Sequence, residues 1–171
     1  MKLITKAMAV FVMLSMLIGN IPAFAAVRNV KDTTSIPGWT MEVSNIDGGG
    51  YIDSSEKASG NNSMKLYNNT VKSSDTTFLR ISYPISVKSG KKYCYGFKVK
   101  AKNAERVTSQ MNWITPRSNL IPAGGTADWR DFEFVYNHTG DDGTAYLRII
   151  LDTKSEAVWI DDVYFYDASD A

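Results

Sequence analysis

From Trp39 onward, apolar and polar residues alternate in short runs, and none of this stretch carries a convincing helical period. Nine runs read as β-strands: Trp39–Val43, Gly50–Asp53, Ser63–Tyr67, Thr76–Ile85, Lys92–Ala101, Arg106–Thr115, Arg130–Tyr136, Thr144–Asp152 and Ala157–Tyr166. Breakers separate them: Gly48-Gly49-Gly50, Gly60-Asn61-Asn62, Ser89-Gly90, Pro122 to Gly125 and Thr139 to Gly143. Side chains two apart share a sheet face, so the alternation also predicts which side is buried. Tyr93, Tyr95, Phe97, Val99 and Ala101 form one apolar face. Leu79, Ile81, Tyr83 and Ile85 form a second; Phe132, Phe134 and Tyr136 a third; Ala145, Leu147, Ile149 and Leu151 a fourth. At roughly 25 cal/mol per Å² buried, four such faces suffice for a two-layer core. The predicted fold class is all-β, a two-sheet antiparallel β-sandwich.

The opposite faces of those strands carry Arg80, then Gln110 and Asn112, then Tyr146, Arg148 and Asp152. Gln, Asn and Arg present planar forks that can reach two neighbouring hydroxyl groups at once. If one sheet is concave, these residues line its groove; the alternative is an ordinary solvated sheet face. Sugar rings also offer flat C–H faces that stack on aromatic side chains. Trp39, Trp113, Trp129 and Trp159 are the candidates for that role. Trp113 shares the parity of Ser109 and Met111, which in a regular strand points it at the core. An early strand end before Pro116 would free it for a groove rim.

The start of the chain reads differently. Lys2 and Lys6 precede an apolar run, Ala7 to Ile18, of about 12 residues, short of the roughly 20 that span a bilayer. Gly19, Pro22 and the small residues of Ala23-Phe24-Ala25 complete the pattern of a secretory signal. The expected organisation is a signal peptide at 1–25, a β-sandwich domain at 27–167 and a polar tail at 168–171, in a secreted protein with no membrane association after cleavage. Losing Lys2 and Lys6 takes Lys+Arg from 19 to 17 against 18 Asp+Glu, a near-neutral balance that argues against nucleic acid as a partner. Cys94 is the only cysteine and His138 the only histidine, which leaves no disulfide and little basis for a zinc site or a Cys-His pair.

The last run, Val158-Trp159-Ile160-Asp161-Asp162-Val163-Tyr164, resembles the closing strand of a group of carbohydrate-binding modules. These are the β-jelly-roll, galactose-binding-like modules of families 4, 9, 16 and 22. Gly38-Trp39 resembles the group's early Gly-Trp, and Trp129-Arg130-Asp131-Phe132-Glu133-Phe134 its Trp-x-x-Phe-x-Phe strand. Tyr93 to Ala101 resembles the strand before that one, so the likeness runs across nearly the whole mature chain. The resemblance implies a jelly roll, a polysaccharide ligand of β-glucan or xylan type, and no catalysis by the domain itself. It also implies a glycoside hydrolase as a working partner. Trp39, Trp129 and Trp159 sit where the group repeats an aromatic, which favours packing and makes Trp113 the first choice of platform. Gln110, Asn112, Tyr146, Arg148 and Arg80, from the outward strand faces, complete the candidate binding set. A structural calcium ion is implied as well, with Asp162 and Asp161 at the group's carboxylate position. The group's usual Asn-x-x-Phe-Glu start is absent, since residues 29–32 read Asn-Val-Lys-Asp.

Two other functions stay open on the sequence. A glycoside hydrolase needs two carboxylates about 5 to 9 Å apart across a cleft. Asp161 and Asp162 are chain neighbours that point apart on a strand, which leaves Asp131 and Glu133 as the better pair on paper. A structural or adhesive sandwich without a sugar site is the other reading, because a fold does not dictate a function.

Overall fold

The computed structural model describes residues 36–71, 74, 76–112 and 118–169. Within them the chain forms β1 (Thr40–Ser44), β2 (Gly48–Asp53), β3 (Ser63–Asn68), β4 (Phe78–Val87), β5 (Lys92–Ala104), β6 (Thr108–Met111), β7 (Ser118–Asn119), β8 (Ala127–Asn137), β9 (Gly143–Leu151) and β10 (Ser155–Asp167). All nine predicted runs have a strand, and β7 adds a two-residue pairing with β6. The expected signal peptide and Trp113 lie outside the described residues.

Every ladder is antiparallel. The first sheet has the order β1-β4-β9-β6-β7 and the second β2-β3-β10-β5-β8. Their inner faces meet in one core, in which Leu79 and Ile81 of β4 and Leu147, Ile149 and Leu151 of β9 join Leu66, Phe97, Val158 and Ile160 from the second sheet. All of these are fully buried or nearly so, at about 1.5–3 kcal/mol of burial for each large apolar side chain. The predicted core faces hold, although Tyr83, Phe132 and Phe134 are only half-buried at its margin.

The glycines at 48–50 do not interrupt the chain as expected; they open β2. Gly48 pairs with Asn68 and Gly50 with Leu66. A Cβ at Gly48 would lie 2.7 Å from the Tyr67 carbonyl, and one at Gly50 2.6 Å from a Leu66 methyl. Here glycine allows two strands to approach more closely than side chains permit. The expected polar tail is likewise tied down at its start: Ala168 is buried and its N–H donates to the Lys92 carbonyl at 2.8 Å.

In β10, Asp161 is opposite Lys98 and Tyr164 opposite Gly96, so β10 carries one residue more than β5 between those pairs. The extra residue is Asp162, at φ 48°, and the left-handed region suits Asp better than a branched residue. The bulge resets the alternation: Ile160 and Val163, three apart, both point into the core.

Candidate functional site

The outward face of the first sheet gathers the polar residues of four adjacent strands. Strand registers align Thr40, Ser82, Arg148 and Gln110 in one row across β1, β4, β9 and β6. A neighbouring row runs Glu42, Arg80, Ile150 and Thr108. Beyond the first row, Pro84 faces Tyr146, whose carbonyl accepts from the Asn112 N–H at 2.7 Å. Four of the five sequence-derived candidates among the described residues, Arg80, Gln110, Tyr146 and Arg148, are thereby assembled on one face; the fifth, Asn112, follows the end of β6. The parity argument that found them applies equally to Ser82 and Thr108, which it had passed over.

The five are not equivalent. Gln110 is 3% exposed; its Nε2 donates to the Asn112 carbonyl at 2.7 Å, while its Oε1 has no hydrogen-bond partner among the described residues. The Thr108 hydroxyl is also buried and lacks one. A buried polar atom left unpaired costs about 1–3 kcal/mol, and both of these atoms lie beneath the surface of this face. Arg148 is buried beside them, its guanidinium 5.2 Å from the Tyr146 ring centroid. Burial, and then the nearby charge of Arg80, pull its pKa below the ordinary guanidinium value. Arg80 pairs with Glu42 and lies 5.2 Å from the Phe78 ring, and Tyr146 is exposed.

Asn112 departs from expectation. It sits at φ 53°, its Oδ1 accepts from the Tyr146 N–H at 2.8 Å, and its Nδ2 reaches the Tyr136 hydroxyl at 3.3 Å. Its amide anchors the end of β6 to neighbouring strands and is not presented to a ligand.

The carboxylate pair of β10 also differs from the implied metal site. Asp161 is buried; its Oδ2 accepts from the N–H groups of Ala58 and Ser59 at 2.9 and 3.0 Å, and its Oδ1 from the Asp162 N–H at 2.7 Å. Asp162 accepts from the Ser59 hydroxyl, and its other oxygen is 3.2 Å from the Lys98 ammonium. Calcium needs six to eight oxygen ligands. Here the oxygens face N–H donors and a cation, which would repel it. Among the described residues no group of three or more His, Cys, Asp or Glu is arranged to hold a metal ion. The pair does not fit calcium. It fits a clamp that holds the 54–59 segment against β10.

Asp53 forms a second buried contact beside it, accepting from Trp159 Nε1 at 2.8 Å and from the Ser55 N–H and hydroxyl at 2.8 and 2.6 Å. Burial works to raise the Asp53 pKa. The hydrogen bonds from Ser55 and Trp159, helped by the Lys65 charge, outweigh it and leave the carboxyl below its usual value. A depressed folded-state pKa contributes stability that is present above the unfolded value of about 3.9 and lost as pH falls through the lowered one. Trp159→Phe removes one of these donors and shifts the midpoint of acid unfolding to higher pH; an acid titration followed by circular dichroism checks this, and an unmoved midpoint contradicts it. Trp159 and Trp39 are both buried, as packing roles require. Cys94 is a buried free thiol whose pKa burial raises, which suits a strand residue and not a nucleophile.

No protein-family model matches the sequence, and no curated protein does. Solved structures do match. A family 4 carbohydrate-binding module is 19% identical at a TM-score of 0.56, over 83% of this chain and 97% of that one. The xylan-binding domain CBM22-1 from Paenibacillus barcinonensis is 13% identical at a TM-score of 0.52, over 82% of this chain and 92% of that one. The fold is that of carbohydrate-binding modules. It is shared with proteins of other kinds: the enzymatically active domain of bacteriophage CBA120 tailspike protein 4 matches at 15% identity and a TM-score of 0.57, and this chain spans only 21% of it. At such identities the likeness is one of fold.

Proposed function

We propose that this protein is a secreted, non-catalytic carbohydrate-binding module that holds a polysaccharide of β-glucan or xylan type on the outward face of the first sheet, in support of glycoside hydrolysis by a partner enzyme. The observation that carries the reading is the row Ser82, Arg148 and Gln110, in register across three strands and bordered by Thr108 and Tyr146. A sugar hydroxyl both donates and accepts. Gln110 and Arg148 supply amide and guanidinium forks of the kind that bond neighbouring hydroxyls. Tyr146 adds an exposed ring beside the row for a sugar's C–H face. Neighbouring folds support the ligand class: one structure is of a module in complex with β-1,4-galactotriose, another of module and xylanase together with xylohexaose. The leader at Lys2–Ala25 supports export.

Hydrolysis by the domain itself has less support. Asp131 and Glu133 lie on β8, an edge strand of the second sheet, where Asp131 is exposed near Lys98 and Glu133 accepts from the Tyr164 hydroxyl.

Affinity electrophoresis through gels containing soluble xylan, hydroxyethylcellulose or galactan tests the proposal. The wild type is expected to be retarded by at least one of them. Gln110→Ala combined with Arg148→Met, which keeps the buried volume, is expected to weaken binding roughly tenfold or more through lost charge-assisted hydrogen bonds. Retardation of that variant equal to wild type removes the site; no retardation of the wild type in any gel removes the function.

A further inference from the structure

The run that closes the chain places two tyrosines where the proposed site makes no use of them. Beyond the Asp162 bulge, Tyr164 is opposite Gly96 and Tyr166 opposite Cys94, both on the outward face of the second sheet. Phe165 between them turns the other way and stacks on Tyr93 in the interior, with ring centroids 4.8 Å apart. Gly96 has no side chain, and the Tyr164 ring fills that space: a Cβ there would collide with its Cζ and hydroxyl. The ring therefore lies across β5, and its hydroxyl donates to Glu133 Oε2 on β8 at 2.6 Å. Tyr166 is opposite Cys94 on the same strand. The two rings are 20° from parallel with centroids 6.2 Å apart, and Tyr166 is 40% exposed.

We propose that Tyr164 and Tyr166 form a second glycan platform, on the sheet opposite the first site, where two consecutive pyranose rings of the same polysaccharide stack. The proposal rests on the polysaccharide reading above. Three features select this ligand. The rings are nearly parallel with centroids 6.2 Å apart, one aromatic ring for each of two consecutive equatorially substituted pyranoses. The Tyr164 ring is held by Glu133 and by its packing over Gly96, so this half of the platform is formed before a ligand arrives, which lowers the ordering cost of binding. The rim mixes the acceptor Glu133 with the donor Lys98, the two kinds of partner a hydroxyl needs. Sites on opposite sheets make one domain bivalent, and it can bridge two chains or two stretches of one chain. Linked sites gain apparent affinity without any new contact.

Affinity electrophoresis is repeated with the gel that retards the wild type most, and an oligosaccharide of that polysaccharide is titrated by calorimetry. Three variants are compared: Tyr166→Ser, Tyr164→Ala with Tyr166→Ala, and Gln110→Ala with Arg148→Met. Circular dichroism confirms that each is folded, and Tyr166→Ser, at an exposed position, serves if the double tyrosine variant is not. The expected result is two equivalents of oligosaccharide on wild type and one on the tyrosine variants, with severalfold weaker retardation. One equivalent on wild type, with tyrosine variants retarded as wild type is, overturns the platform and leaves the first site standing. Loss of binding only in the tyrosine variants overturns the first site and keeps the platform. A wild type that binds nothing overturns both.

Discussion

Asp161→Asn is expected to lower the unfolding free energy by about 2–4 kcal/mol, read from urea denaturation, because the carboxylate is a buried charged hydrogen-bond hub. Its two oxygens take three backbone N–H groups, two from the 58–59 segment and one from Asp162. An amide keeps one accepting oxygen and turns an NH₂ toward the remaining donors, so a buried N–H is left facing another N–H. Asp162→Asn is the control. It keeps a residue that tolerates the left-handed backbone of the bulge and an oxygen that accepts from the Ser59 hydroxyl, and it weakens a partly exposed contact with Lys98, for an expected cost under about 1 kcal/mol. The same geometry predicts that adding calcium or a chelator leaves the melting temperature of the wild type unmoved. An ion that binds only the folded state must raise it, so a rise of several degrees with calcium would show that the clamp has been misread.

Phe97→Ala is expected to cost about 3–5 kcal/mol. Phe97 is 1% exposed in the middle of β5, with the rings of Phe132 and Phe134 at 6.2 and 6.0 Å. Truncation removes the largest fully buried side chain and leaves a cavity that two β-sheets cannot close by local collapse. Against a typical domain stability of 5–15 kcal/mol, the variant loses a large share of its margin. Chemical denaturation measures the loss, and a cost below about 1 kcal/mol would mean that the two sheets are not packed through this ring. Tyr166, on the outward side of the same sheet, is expected to cost no more than about 0.5 kcal/mol when changed to Ser. That contrast allows binding at the tyrosine platform to be tested without unfolding the protein.

The strands and their inward faces were legible in the chain, since a period of two is a local property and each run carries its own. The inward residues of Tyr93 to Ala101 and of Ala145 to Leu151 are buried as the alternation says, although Cys94, Gly96, Arg148 and Ile150 on the opposite faces are buried too. Arg80, Gln110, Tyr146 and Arg148 were legible in the same way, as the complement of those faces. What local period could not supply is partnership. β10 pairs with β3, nearly a hundred residues earlier, and with β5, and that placement turns Asp161 from an implied metal ligand into the acceptor for Ala58 and Ser59. Asn112 reads as an outward amide from its parity, yet the strand ends at it and its side chain turns back to Tyr136 and Tyr146. The glycines at 48–50 read as a break because their conformational freedom is local, whereas the close approach of β3 that makes them a strand is not.

The alternation along the chain was enough by itself to set the layers: which residues face the core between the sheets and which face away from it. Tertiary structure alone decided which polar groups meet, because hydrogen bonds depend on register between strands distant in sequence, and a bulge of one residue at Asp162 reverses every side chain after it. That reversal is what carries Tyr164 and Tyr166 to the outer face, where regular alternation from Ile160 would have buried them.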